Sequence, residues 1–456
     1  MYYTLRKPVR MRREPECVVL VSGDDNGATR HVHPLLGVLL ALCDGQHDRQ
    51  SLHRVLTEAF HLKEERAAEL LARLDGDLRA YVREWPEPVP DAQRYNAVDF
   101  VYRPSGNPNL QRLSAPVSIA WLITERCPFD CAYCCISTRR VSDVGDEMTH
   151  EQALVFLEDC VATGVQLFTF HGGEPFVRQD TPELIGYLIE NGVFVATSTK
   201  LGLSEDTVAR LKTAGLDELQ ISIDTADPDK ADGMVGHRNY LRGAFRNIDL
   251  LRRYGIEPTV NTVVTSRNVH EVPELIRILA ARGVRKISLA SYIRSSFKHD
   301  DALFAGGAEL RAMAKRVHAL KQELPDVSVD LCPLQDPRDA SLSLDGFSSC
   351  SGGRSGLVIG GNGNASICDR LLTVDEAIVG NVREESLLEI WNGERLRAFV
   401  EPGAEAFGDT ECADCGLKEA CDWRIRCAYR SLLIRGRLFA PDHLCPVVPP
   451  PSIRFF

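Results

Sequence analysis

The run Cys127-Pro128-Phe129-Asp130-Cys131-Ala132-Tyr133-Cys134 follows directly on the apolar stretch Val117 to Ile123. Its three cysteines are separated by three and then two residues. Thiolates are soft ligands suited to iron–sulfur clusters. A cubane cluster has four irons, so a loop supplying three thiolates leaves one iron open to a non-protein ligand. A zinc knuckle, or three ordinary buried cysteines, would use the same residues. The flanking sequence decides between them.

Downstream of the loop a strand–helix rhythm sets in. Apolar runs predict strands at 117–123, 165–170, 193–197, 218–223, 259–264 and 285–290, with helical patterns between them. Thr149 with Gln152, and Ser204 before Glu205, supply N-caps, while Pro182 follows Thr181 at a favoured first helical position. Gly164, Gly192, Gly215, Gly255 and Gly283 stand where each helix would stop, because a left-handed C-cap is cheapest for glycine. Short apolar runs suit buried parallel strands. Six such units predict an α/β protein whose core, residues 115–300, is a partial (β/α)6 TIM-like barrel. A barrel of this kind carries its site at the C-terminal strand ends. The conspicuous motifs fall there: the cysteine loop after the first strand, His171-Gly172-Gly173-Glu174-Pro175 after the second, and Ser222-Ile223-Asp224 at the fourth.

The cysteine spacing, with aromatic Tyr133 before the last cysteine, resembles the radical S-adenosylmethionine (SAM) family, whose loop reads C-x-x-x-C-x-aromatic-C. The resemblance implies a [4Fe–4S] cluster on Cys127, Cys131 and Cys134, with SAM chelated at the free iron and cleaved to a 5′-deoxyadenosyl radical. Gly172, Gly173, Glu174 and Pro175 match the family's GGEP motif, which implies that backbone and glutamate hold the amino group of SAM. Ser222 and Asp224 resemble its S-x-D step, with Ser222 near the SAM carboxylate. Arg238 lies where relatives carry an arginine for that carboxylate, and Asn261 is a ribose or adenine contact by the same resemblance. Thr197-Ser198-Thr199-Lys200 departs from the relatives' Thr-Asn-Gly-Thr, so the contacts of that loop stay open. His171 is read as structural or as a support for the ligand-binding groups.

Residues 301–345 read as a connector, with a helix at Glu309–Glu323 and a strand at Val327–Leu331. Cysteines return in 346–456. Cys350 and Cys368 flank a predicted hairpin built on 357–359 and 365–367, and Cys412, Cys415, Cys421, Cys427 and Cys445 follow a helical stretch at 387–400. This series resembles the SPASM extension of radical SAM enzymes that modify peptides and proteins, which implies two auxiliary [4Fe–4S] clusters. By that resemblance Cys350, Cys368 and Cys427 hold one cluster, and Cys412, Cys415, Cys421 and Cys445 the other. Cys332 is the fourth ligand of the first cluster, or that position is open for substrate. Five residues separate Cys421 from Cys427 where the family has three, so the loop must differ. A pair of structural zinc sites is the competing reading. Asp369, directly after Cys368, stands where some relatives place an aspartate that takes a proton from the substrate radical; a capping or solvated aspartate is the plainer alternative. Cys17, Cys43, Cys135 and Cys160 are left as ordinary thiols.

Residues 1–90 form a separate unit, with a hairpin at 18–32 and helical patterns at 34–43, 51–60 and 63–84; a proline-rich linker over 91–114 follows. A short sheet with three helices suggests a winged-helix fold. Ahead of a radical SAM core it resembles the PqqD-like domain that captures leader peptides by strand addition. A DNA-binding winged helix or a packing appendage is the alternative.

Across all 456 residues, 44% are hydrophobic, 26% are charged and the formal net charge is −11, an ordinary soluble composition that argues against nucleic acid as the main partner. The N-terminus lacks the apolar core of a signal peptide, and no run nears the ~20 apolar residues of a membrane span. With fifteen cysteines, an odd count, metal ligation is favoured over disulfides and a cytoplasmic setting is expected. The whole pattern predicts a maturase that crosslinks a ribosomally made precursor peptide oxidatively, fed by an electron donor such as flavodoxin or ferredoxin. Its rivals are a formylglycine-type protein maturase, a peptide decarboxylase or epimerase, and a zinc-stabilised peptide-binding scaffold without radical chemistry.

Overall fold

The computed structural model describes residues 1–7, 9–22, 28–103, 112–331, 350–416, 427–442, 445 and 447–448. The chain divides into two units, Met1–Ser118 with Gly164–Leu167, and Ile119–Thr163 with Phe168–Phe456. The first boundary thus falls just past the expected linker, whose residues 104–111 lie outside the described residues. No helix among the described residues is long and apolar enough to cross a membrane.

The first unit contains β1 (Tyr2–Leu5), β2 (Val9–Arg13), β3 (Val18–Ser22), β4 (Ala28–Val32), α1 (Pro34–Ala41), β5 (Asp44–Asp48), α2 (Arg49–Arg54), α3 (Glu64–Asp75) and β6 (Val82–Trp85). The expected hairpin is β3–β4, in register Val18↔Val32 to Ser22↔Ala28; its turn lies outside the described residues. Where one short sheet was expected there are two, each antiparallel and three-stranded, in the orders β2-β3-β4 and β5-β1-β6. The predicted helix over 63–84 stops at Asp75. Leu70, Leu71 and Leu74 form its buried face, whereas Val82–Trp85 pairs antiparallel with Tyr2–Leu5. A local pattern continues the helix through Leu78; a strand partner some eighty residues away, invisible to any local window, claims the segment after it.

The second unit carries β7 (Ser118–Thr124), β8 (Leu167–Gly172), β9 (Phe194–Thr199), β10 (Glu218–Ser222), β11 (Glu257–Val264) and β12 (Lys286–Ser291). All six fall within two residues of expectation. Between them run α4 (His150–Thr163), α5 (Thr181–Glu190), α6 (Glu205–Thr213), α7 (Pro228–Val235), α8 (Tyr240–Arg253) and α9 (Val272–Ala281). All five glycine stops adopt positive φ, between 68° and 88°. Thr149 and Gln152 cap α4 reciprocally, at 3.0 and 3.3 Å. The interior is aromatic at the start of the sheet: Trp121 packs edge-on against Phe156 and Phe168, with ring centroids 5.6 and 6.2 Å apart.

Two features extend the six-unit plan. After α10 (Gly307–Glu323), β13 (Ser328–Leu331) pairs parallel with β12, so the expected connector adds a strand to the barrel sheet. At the other edge the expected hairpin, β14 (Gly356–Ile359) and β15 (Asn364–Ser366), joins the sheet beside β7, followed by β16 (Gly380–Asn381). The order runs β13-β12-β11-β10-β9-β8-β7-β14-β15-β16, and every pairing from β9 to β13 is parallel. Core and C-terminal region share this one sheet within the second unit. Helices α11 (Leu387–Asn392), α12 (Glu394–Val400) and α13 (Ala428–Arg435) complete it.

Candidate active site

The cysteine loop leaves β7 and is held from several sides. Asp130 N and Ala132 N donate to the carbonyls of Val235 and Met234 at 2.9 Å, so the end of α7 shapes the loop's backbone. Phe129 packs edge-on against Tyr240, with centroids 5.7 Å apart. The Tyr133 hydroxyl donates to Asp224 Oδ2 in a buried pair. The outcome is that Cys127, Cys131 and Cys134 all line one cleft of about 400 Å³ at the C-terminal strand ends. Burial pushes the Cys127 thiol up to about 11 and Cys131 up to about 12, and raises Cys134. Without metal these ligands are thiols, and an incoming cluster must displace their protons.

Gly172 and Gly173 line the same cleft, yet their glycine character has another cause. A Cβ on Gly172, at φ +130°, would stand 2.4 Å from the Thr124 carbonyl oxygen, and one on Gly173 would stand 2.3 Å from that of Arg126. The GGEP turn thus packs against the backbone leading into the cysteine loop, with Gly173 N donating to Thr124 O at 2.7 Å and Glu174 N to Arg126 O at 2.8 Å. Pro175 begins a short 3-10 turn and lines the cleft. Glu174 lines the cleft as well. Its buried carboxylate accepts from Thr199 Oγ1 (2.7 Å), Lys200 N (2.8 Å), Leu201 N (3.3 Å) and Phe176 N (3.3 Å). Burial raises its pKa while these donors oppose the rise. The glutamate organises the loop after β9 with bonds to protein groups.

Ser222 and Asn261 line the cleft as expected, Asn261 Oδ1 accepting from Ser288 Oγ at 3.0 Å. Asp224 and Arg238 do not line it. Asp224 is buried behind the cleft, accepting from Val263 N at 2.8 Å and from Tyr133. Its role is to clamp the cysteine loop to β10 and β11. Arg238 is exposed in the turn between α7 and α8.

Lys200 was not singled out, although the Thr197–Lys200 departure from the family pattern marked its position. Its side chain enters the cleft, with Nζ 5.6 Å from the centroid of the Tyr133 ring. Its charge pulls down the pKa of all three core cysteines against the larger effect of burial. His171 faces the cleft with a buried Nε2 that has no hydrogen-bond partner; burial lowers its pKa, which favours neutral imidazole.

Asp369 reaches the same cleft from the C-terminal region, directly after β15 and Cys368. Its Oδ1 accepts from Arg370 N at 2.9 Å. Cys368, whose Sγ donates to Asp369 Oδ1 at 3.3 Å, also lines a second cavity of about 90 Å³ together with Cys350, Cys427, Leu371, Phe399 and Tyr429. The expected set Cys350, Cys368 and Cys427 is thus brought together. Gly352 permits this: a Cβ there would stand 2.3 Å from the Ile367 carbonyl oxygen, against which the Cys350 turn lies. Asp442, which sequence reasoning missed, ties two cysteine segments. Its carboxylate accepts from Cys427 N and Arg430 Nη2, each at 3.1 Å, and its carbonyl from Cys445 N at 3.2 Å. Cys412 and Cys415 sit in one turn, with Cys415 N donating to Cys412 O at 3.4 Å, and neither lines the small cavity. Cys332 and Cys421 lie outside the described residues.

Among the described residues no three His, Cys, Asp or Glu side chains stand close enough to share a single ion. Cluster ligands bind different irons and need no such convergence. Three thiols, a cation and an imidazole nitrogen unpartnered among the described residues, all in one cleft, suit a [4Fe–4S] cluster with SAM, and the three-thiol cavity suits a second cluster.

Residues 121–290 match the Radical SAM superfamily model, and residues 350–416 match the SPASM model, an iron–sulfur cluster-binding domain. The PqqA peptide cyclase of Xanthomonas oryzae pv. oryzae is 28% identical over 336 residues, covering 72% of this chain and 87% of that protein. The PqqA peptide cyclase of Granulibacter bethesdensis is 26% identical over 346 residues, covering 75% and 90%. The crystal structure of Streptococcus suis SuiB bound to S-adenosylmethionine aligns over 97% of this chain and 100% of its own, with a TM-score of 0.65 at 17% identity. That of SuiB bound to the precursor peptide SuiA gives a TM-score of 0.64 at 17% identity, covering 92% and 94%.

Proposed function

We propose that this radical SAM enzyme, with its SPASM extension, matures a ribosomally synthesised precursor peptide by forming an oxidative C–S, C–C or C–O crosslink. One observation carries the reading: Asp369 lines the cleft of the core cysteines and touches Cys368 Sγ at 3.3 Å, and Cys368 lines the cavity of Cys350 and Cys427. Relatives that are peptide cyclases, and a similar fold crystallised with its precursor peptide, support a peptide as substrate. When bound, the clusters and SAM supply the 5′-deoxyadenosyl radical and an acceptor for the surplus electron.

The chain's own residues do the rest. Cys127, Cys131 and Cys134 hold the core cluster, the GGEP turn fixes their loop from beneath, and Ser222 and Asn261 contact the nucleoside ligand. Asp369 takes the proton that leaves as the crosslink closes. Loss of one hydrogen atom, one proton and one electron amounts to two hydrogens per bond formed, which favours oxidative crosslinking over redox-neutral epimerisation. Cys412, Cys415, Cys421 and Cys445 hold the second auxiliary cluster, and Cys332 completes the first or leaves it open. The Met1–Ser118 unit binds the leader by adding it as a strand to a sheet edge; β2, β4, β5 and β6 are all edge strands. Flavodoxin or ferredoxin delivers the electron, in a reducing cytoplasm.

The test is anaerobic incubation of the reconstituted enzyme with SAM, reductant and a peptide encoded beside its gene. The expected products are 5′-deoxyadenosine and a peptide about two mass units lighter per crosslink. Asp369→Asn should keep forming deoxyadenosine while crosslinking falls about 10²–10⁴-fold. A new aldehyde in place of the crosslink would move the assignment to formylglycine chemistry. Deoxyadenosine with an unchanged, undeuterated peptide in D2O would remove this substrate.

A further inference from the structure

We propose that Lys200 is the cation that receives the carboxylate of SAM in this cleft, in the role the sequence pattern assigns to Arg238. The inference rests on reading the cleft as a SAM site. Lys200 and the three core cysteines line the same cavity, whereas Arg238 is exposed in a turn outside it.

Three further observations favour Lys200. Its backbone is built into the site: Glu174, itself buried, accepts from Lys200 N at 2.8 Å and from Thr199 Oγ1 at 2.7 Å, while Asn247 Nδ2 donates to Leu201 O at 2.7 Å. The aliphatic stem therefore starts from a fixed point, which reduces the ordering cost of a contact at its tip. No acceptor among the described residues pairs with its ammonium, whose nearest notable neighbour is the Tyr133 ring at 5.6 Å. Other cations at the site are engaged: Lys298 pairs with Asp130, and Arg370 is buried beside Asp369 and Cys368. A half-buried ammonium is favoured by an anionic partner. The ligand it would take is an α-amino acid carboxylate, the anionic end of SAM.

The experiment measures binding, not turnover. Full-length, cluster-loaded enzyme is dialysed anaerobically against SAM and against decarboxylated SAM, and the EPR spectrum of the reduced cluster is recorded with each. The unaltered enzyme should prefer SAM. Lys200→Met should bind SAM about ten- to a hundredfold more weakly, the effect of losing one charge-assisted hydrogen bond, with affinity for decarboxylated SAM unchanged. Lys200→Gln should show the same selective loss, Lys200→Arg should restore most of the preference, and Arg238→Ala should alter neither affinity. The inference falls if Lys200→Met and Lys200→Gln bind SAM normally, if they lose both compounds equally, or if Arg238→Ala gives the selective loss. Failure of the unaltered enzyme to bind SAM would overturn the SAM-site reading itself, a result distinguishable from all of these.

Discussion

The core loop and the C-terminal cavity each gather three cysteines, by opposite routes. In the core, Cys127, Cys131 and Cys134 lie within eight residues and are placed by neighbours that would stand without them: α7 carbonyls, the Tyr133–Asp224 clamp and the aromatic packing around Trp121. In the C-terminal region, Cys350, Cys368 and Cys427 come from distant segments around a small apolar cluster of Leu371, Ala377 and Tyr429. Nine partly buried residues pack against these three, and Cys368 and Cys427 are among them. In the core the fold holds the site; at the C-terminus the site is expected to hold the fold.

Triple alanine variants test this contrast most severely. Replacing Cys127, Cys131 and Cys134 should abolish deoxyadenosine formation yet leave the Tm and protease resistance near those of the parent. Replacing Cys350, Cys368 and Cys427 should expose residues 350–445 to proteolysis and lower the Tm, while deoxyadenosine is still produced. Equal unfolding of both variants would erase the distinction.

A smaller effect is expected from pH. Burial places Cys127 at about 11 and Cys131 at about 12, above the ordinary thiol value, so cluster uptake releases protons. The metal-free, protonated form is favoured as pH falls, and loss of the core cluster to a chelator should quicken from about pH 8.5 to about pH 6.5. Absorbance of the iron–sulfur chromophore during chelation follows this directly, and a flat profile would contradict it. The smallest effect concerns the clamp. Tyr133→Phe leaves Asp224 Oδ2 buried without its hydroxyl donor and should cost about 1–3 kcal/mol. Denaturant unfolding of the loaded protein measures it, and an unchanged midpoint would show that the clamp is dispensable.

Much of the barrel was legible because its signals are local. Each strand is a short apolar run and each helix ends at a glycine whose positive φ the structure bears out. The cysteine loop and GGEP were legible as motifs, but what their groups touch was not. Gly172 and Gly173 yield space to a neighbouring backbone, and Glu174 bonds the loop after β9. Both facts depend on which strands become neighbours. Arg238 is exposed in a turn and does not line the cleft, which its place in the sequence did not disclose. Val82–Trp85 and Asp442 were missed for a related reason: their partners, Tyr2–Leu5 and Cys427, are remote or carry no pattern joining them.

Cys368 and Asp369 are consecutive residues that line two different chambers, with Cα atoms about 3.8 Å apart and side chains in contact, Sγ to Oδ1, at 3.3 Å. Under the proposed function, the exits for a proton and for an electron are thereby covalently yoked. A single residue inserted between them would separate the two departures in space. On that reading, a change of peptide product is expected to come from cleft residues that hold neither cluster nor nucleoside, while this junction stays fixed in length.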